Sequence, residues 1–325
     1  MNAIWMPLGA ASAVALAVTT AAVEPLKDPA KNGAIAPSLT DAATEVLELD
    51  TDRNQRYTVP VTIDGAGPYN FMIDTGSQAT AVTHRINDAL QLEPMGTATL
   101  VGMASRRSVD MVELEQLEFG SRTLYDIPAP VLSRHNVGAD GIIGLDSLQD
   151  MRVLIDFRSE TIAVADAEEK SSNRGFEIIV RARPKLGQLL VTNAEIEGVR
   201  TTVIIDTGAQ RSLGNLALQR KIRAKRAQEV TTTDVNGVSM QGEMSIAREI
   251  KIQGLALRNM PIAYADAPAF EALGLKDKPV LSLGMSHLRM FNRVAIDFST
   301  KRILFDLPSK YELRQRLRKA NAADK

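Results

Sequence analysis

Two stretches decide how this chain is read: Phe71-Met72-Ile73-Asp74-Thr75-Gly76-Ser77 and Val203-Ile204-Ile205-Asp206-Thr207-Gly208-Ala209. In each, a hydrophobic run ends in Asp-Thr-Gly. At average residue usage a given triplet of this kind arises roughly once per several thousand positions. Two copies in 325 residues, with related flanks, point to an internal repeat. A carboxylate directly after a buried strand sits on a turn, where glycine lets the backbone bend sharply.

The repeat reaches well beyond the triplets. Upstream of the first, Tyr57–Ile63 runs into Asp64-Gly65; upstream of the second, Leu189–Ile196 runs into Glu197-Gly198. Both patterns predict a strand, a glycine turn and a second strand leading into the aspartate. Downstream, Asp140-Gly141-Ile142-Ile143-Gly144-Leu145 precedes Ile155-Asp156-Phe157, and Leu281-Ser282-Leu283-Gly284-Met285 precedes Ile296-Asp297-Phe298. Each half also carries a candidate hairpin. The first turns at Gly102, between strands near 97–101 and 109–114. The second turns at Asn236-Gly237, a strong tight-turn signal, between strands near 230–235 and 238–246. Short helices are expected after Gly144 and Gly284, over 212–227 and over 311–320. The fold expected is mainly β: two homologous β-rich lobes related by a pseudo-twofold axis, with the site between them.

If two such lobes pack about that axis, their aspartate turns can meet. Two carboxyl groups within about 3 Å cannot both ionise easily, so they share one proton. One is then a base and the other an acid at the same pH. The base draws a proton from a water that attacks a peptide carbonyl, and the acid donates to the developing oxyanion. Neither metal nor cofactor enters this chemistry. Composition agrees: the chain has no cysteine and three histidines, which excludes thiol catalysis, disulfides and Cys-ligated zinc. The net charge of −1 gives no footprint for nucleic acid. His84, His135 and His287 share no ligand spacing and are read as surface or packing residues. Asp156 and Asp297 are read as strand-end turn residues, and the basic run Arg220–Arg226 as a solvated helix face.

The hydrophobic-hydrophobic-Asp-Thr-Gly-Ser/Ala pattern, with its later hydrophobic-hydrophobic-Gly segment, resembles the aspartic peptidases. Asp140–Leu145 is similar to the pepsin-type segment and Leu281–Met285 to the retropepsin-type one. The resemblance spans roughly 55–305 and is nearest to two-lobed bacterial aspartyl proteases. It implies that Asp74 and Asp206 are the catalytic pair. Thr75 and Thr207 would hydrogen-bond across the axis, and Gly76 and Gly208 would let backbone approach the scissile bond. Segments 99–108 and 233–240 would be flaps, with Gly102, Met103, Asn236 and Gly237 at their tips, closing over a bound peptide. The chain departs from the family at the first flap, where Met103 stands near the tip and no tyrosine occurs between 70 and 124. A second asymmetry sets Ser77 against Ala209. A hydroxyl at Ser77 that reaches its neighbouring carboxylate would make Asp74 the ionised partner and Asp206 the proton holder.

The expected organisation is a signal peptide over 1–22, a flexible linker over 23–50 and an N-terminal lobe over 51–166. An inter-lobe linker over 167–175, a C-terminal lobe over 176–308 and a basic tail over 309–325 follow. Leu8–Val18 is apolar and Thr20-Ala21-Ala22 offers a small-x-small cleavage site. The pattern therefore implies export to a periplasm or outside the cell, with anchoring if the signal stays uncleaved. The partner expected is a peptide or protein substrate, with one chain sufficing as an active monomer and no membrane span after signal cleavage. Two rival readings remain open at this point: a peptide-binding envelope protein that keeps the fold without turnover, and a purely structural β-protein.

Overall fold

A computed structural model describes residues 57–309 except 121, 167–172, 174 and 224–227. It also describes short strands at Ala3–Ile4, Ala22–Pro25, Glu45–Glu48 and Asp50–Thr51, and residue 312. Most of the expected signal peptide, most of the expected linker and nearly all of the basic tail with its helix lie outside the described residues.

The chain folds into two β-rich lobes, as its repeat implies. Alternating apolar residues in Tyr57–Ile63 pack its inward face, and a turn at Asp64-Gly65 returns the chain as Ala66–Ile73. This strand ends in three fully apolar buried positions, Phe71, Met72 and Ile73, immediately before Asp74. The second lobe repeats the arrangement with Gln188–Ile196 and Val199–Ile205, ending in Val203, Ile204 and Ile205 before Asp206. In each lobe the hydrophobic-hydrophobic-Gly segment lies parallel to the aspartate-bearing strand. Ile142 sits opposite Met72, and Ser282 opposite Ile204. Burial on both faces explains why these short parallel strands read as unbroken hydrophobic runs rather than alternating ones.

A third sheet of six strands joins the lobes. Its centre is the antiparallel pairing of Met151–Asp156 with Arg293–Asp297, the two strands that end in the repeated Ile-Asp-Phe. Both terminal aspartates cap turns, as expected: Asp156 accepts from the backbone N–H of Arg158 and Ser159, and Asp297 from that of Thr300. One hydrophobic core runs through this seam, with Val153, Leu145 and Leu148 from one lobe and Val294, Leu189 and Leu283 from the other.

Four features differ from the expectation. The hairpins are longer, pairing Glu93–Val101 with Arg106–Phe119 and Gln228–Asp234 with Ser239–Ile252. Helices His84–Leu90, Arg134–Val137 and Pro268–Ala272 form where none was expected. They are too short for a 3.6-residue hydrophobic period to establish itself. The helix expected over 212–227 is described only from Leu216 to Ile222, because Leu213–Gly214 joins the sheet and Asn215 caps the helix by accepting from Leu218 N–H. Short strands at Glu45–Glu48 and Asp50–Thr51 fall near the end of the segment expected to be linker. Short helices do follow Gly144 and Gly284, at Leu145–Leu148 and Met285–Leu288.

Candidate active site

Asp74 and Asp206 emerge from equivalent strand ends. The N–H of Asp74 donates to Ile143 C=O at 3.0 Å, and that of Asp206 to Leu283 C=O at 3.1 Å. The parallel pairing therefore fixes the backbone of each aspartate before its side chain makes any contact. Both are buried.

Two threonines lock the loops to each other. The Thr75 hydroxyl donates to Ile205 C=O at 2.8 Å and accepts the Thr207 N–H at 3.2 Å. Reciprocally, the Thr207 hydroxyl donates to Ile73 C=O at 2.8 Å and accepts the Thr75 N–H at 3.0 Å. Each hydroxyl thus spends its proton and a lone pair across the lobe interface. All four bonds are buried, where an unmade partner would cost the most. The pattern is symmetric about the axis.

Gly76 shows how close the two carboxylate loops come. Its N–H donates to Asp74 Oδ1 at 2.8 Å, and a Cβ built on it would lie 2.7 Å from Asp206 Oδ1. No side chain fits there. Gln188 braces the same loop from below: its Nε2 donates to Gly76 C=O at 2.8 Å.

The asymmetry expected from Ser77 and Ala209 lies elsewhere. The Ser77 hydroxyl donates to Ala79 C=O at 2.9 Å, so its single proton is not available to Asp74. What reaches Asp74 Oδ1 is the Ser77 backbone N–H at 3.1 Å, and the Ala209 N–H does the same for Asp206 Oδ1 at 3.0 Å. The backbone N–H groups at these two positions therefore make equivalent contacts to their carboxylates. A hydroxyl does reach a carboxylate, but on the other lobe: Ser282 Oγ donates to Asp206 Oδ2 at 2.7 Å. The position of Ser282 in the first lobe is held by Ile142, which has no donor.

A cavity of about 160 Å³ opens beside Asp206. Ile204, Met103, Phe270, Leu273, Gln188 and Ser282 contribute to its wall. Among its lining residues only Asp206 is charged.

The two hairpin tips meet over the site. Gly102, Met103, Asn236 and Gly237 are all at these tips, and Asp234, the last residue of its strand, ties the tips together. Asp234, fully buried, shapes its own turn by accepting from Asn236 and Val238 N–H at 3.0 and 3.1 Å. Its other oxygen accepts from Ala104 N–H at 3.1 Å and from the Ser105 hydroxyl at 2.7 Å, both on the opposite tip. Asn236 Nδ2 adds a bond to Ser105 Oγ at 2.9 Å. Gly102 must be glycine here, since a Cβ would lie 2.3 Å from Asp234 Oδ2. Each tip also pushes an apolar side chain into the other lobe. Met103, 4% exposed, packs with Leu190, Ile204, Phe270 and Leu273; Val235, 1% exposed, packs with Met72, Leu100, Val137 and Ile142. Met103 thus occupies the place where the family resemblance would put a tyrosine. Beside the tips, the exposed pair Arg106–Glu271 spans the lobes at 2.9 Å.

His287 is buried against Ser212, whose Oγ contacts its Nδ1, while Ser212 also accepts from Gly284 N–H at 2.9 Å. Burial pushes the imidazole down to about 4 from an ordinary 6.5. His84 and His135 are exposed. No group of three or more potential ligands that could hold a metal ion occurs among the described residues. No helix among them is long and apolar enough to cross a membrane.

The family model described as aspartyl protease matches residues 59–147 and 192–287, more than half of the chain and both lobes. No relative is matched among curated proteins.

Proposed function

Because this chain belongs to the aspartyl protease family, we propose that it is an endopeptidase that cleaves peptide bonds in protein substrates with a water activated between Asp74 and Asp206. The observation that supports this reading is the reciprocal Thr75–Thr207 lock, which bonds the two aspartate loops directly to each other. A rigid, preorganised pair of carboxyl groups needs no rearrangement as charge develops.

In the proposed reaction a peptide lies in the cleft under the hairpin tips. The ionised carboxylate takes a proton from water as the water oxygen bonds to the peptide carbonyl carbon. The protonated carboxyl gives its proton to the carbonyl oxygen, forming a neutral gem-diol. Collapse of that diol breaks the C–N bond, returns one hydroxyl proton to the dyad and passes the other proton of the dyad to the leaving amine. The two carboxyl groups end as they began, with one proton between them. Burial of both carboxyl groups strengthens each of these charge interactions.

The test is substitution of each aspartate. Asp74→Asn and Asp206→Asn should each reduce cleavage of a denatured protein by at least a thousandfold while leaving the unfolding midpoint near that of the parent. Turnover at the parental rate in either variant would end the assignment.

A further inference from the structure

In the strand that pairs with each aspartate-bearing strand, the two lobes differ at one buried position beside the aspartates. Where the first lobe has Ile142, buried opposite Met72, the second has Ser282, buried opposite Ile204. The exchange has two effects. It supplies a donor to Asp206 Oδ2 at 2.7 Å, while Asp206 Oδ1 already accepts the Ala209 N–H at 3.0 Å. Both oxygens of Asp206 are therefore held as acceptors. It also removes three carbons from the wall of the cleft. On the first lobe's side Ile142 packs with Met72, Leu100 and the incoming Val235 in one buried cluster. On the second lobe's side the cavity of about 160 Å³ remains, with Ser282 and Asp206 both in its wall.

From this we infer that Ser282 is the positioning residue that breaks the symmetry of the site. Its hydroxyl makes Asp206 the negatively charged member of the pair and leaves the shared proton on Asp74. Its small size opens a subsite for one apolar side chain of the substrate, on the C-terminal lobe's side of the cut bond only. The inference rests on the proposed peptidase reading. It assigns the base to Asp206 and the acid to Asp74, the reverse of the roles expected from Ser77. The cavity has the right size for its occupant, since an apolar cavity of about 150 Å³ takes up benzene. A phenylalanine, leucine or methionine side chain fits that space, with Ile204, Phe270, Leu273 and Met103 as its apolar contacts.

Three variants separate the two effects. Ser282→Ala keeps the space and loses the hydroxyl, so kcat should fall about tenfold with KM and side-chain preference unchanged. Ser282→Thr keeps the hydroxyl and narrows the space, so most of kcat should survive while the preference for phenylalanine over alanine at one flanking position shrinks. Ser282→Val should show both losses. Equal apolar preference on both sides of the bond in the parent, or a Ser282→Ala variant with parental kcat, would overturn the inference.

Two measurements stand independently of turnover. Carbon-13 NMR of labelled aspartates, with the pair holding one proton, should show carboxylate at Asp206 and carboxylic acid at Asp74, with the distinction reduced in Ser282→Ala; the opposite assignment refutes the proposed polarity. N-acetyl-phenylalaninamide, but not N-acetyl-alaninamide, should shift the methyl signal of Met103 in the parent and not in Ser282→Val. If both results appear in a protein with no Asp206-dependent cleavage, the peptidase reading fails and the asymmetry stands. If cleavage is Asp206-dependent and neither appears, the asymmetry fails and the peptidase reading stands.

Discussion

Thr207 illustrates how much of the site depends on single hydroxyl groups. Its Oγ1 donates to Ile73 C=O and accepts from Thr75 N–H, and both partners are buried. Thr207→Ala strips a partner from each, at roughly 1–3 kcal/mol per orphaned group before relaxation. A loss of about 2–4 kcal/mol is expected in urea unfolding, with Thr207→Ser recovering most of it. His287 makes a prediction of the opposite kind, from a group that must stay uncharged. Its imidazole falls to about 4 in the folded protein against 6.5 when exposed. Between those values the unfolded chain binds the extra proton, so stability is complete above pH 6.5 and is lost as pH falls toward 4. The loss amounts to about 3 kcal/mol. His287→Gln should flatten this part of the stability–pH curve relative to the parent; identical curves would contradict the assignment. At this scale the sequence was partly legible. Asp74, Asp206 and the threonines stand in a repeated triplet that can be read directly. Ser282 and Asp234 cannot be read that way, because a serine in a buried strand or an aspartate before a turn gains its meaning only from a partner far away in the chain.

Among the elements, the hairpins show the same division. Their turns were legible from Gly102 and Asn236-Gly237, since the chemistry of a tight turn is local. Their length was not, because the outer half of each is exposed on most positions and lacks a clean hydrophobic alternation. Nor was their contact with each other, which joins Ser105 to Asp234 across 129 positions of sequence. That contact bridges the two tips beside the cavity, and entry of a peptide is expected to part them. The chain has no cysteine, which makes a reversible staple clean to build. In a Ser105→Cys/Asn236→Cys variant, oxidation should suppress cleavage at least tenfold and a reductant should restore it. Conversely, Asp234→Ala should speed amide hydrogen exchange at residues 102–106 and 235–239 by tenfold or more. Unchanged exchange would mean that the tips are held by Met103 and Val235 alone.

As a whole, the molecule is joined by a shared sheet and a continuous core rather than by a surface contact between separate units. Val153 pairs in register with Ile296, and both are buried in a hydrophobic cluster that draws on both lobes. Unfolding followed by calorimetry should therefore give a single transition with equal calorimetric and van't Hoff enthalpies. Two resolved transitions would show lobes that melt independently. This seam was foreshadowed by the repeated Ile-Asp-Phe, although strand pairing between the two copies was not, because a pattern of apolar residues specifies a face and not a partner. The tips carry a consequence for assembly from halves. Ser105 and Ala104 offer donors where Asp234 offers an acceptor. A homodimer assembled from two C-terminal halves would set one Asp234 carboxylate against its own copy, and one assembled from two N-terminal halves would lack the carboxylate that ties the tips. The clasp therefore requires one tip of each kind, and two copies of either half alone could not form it.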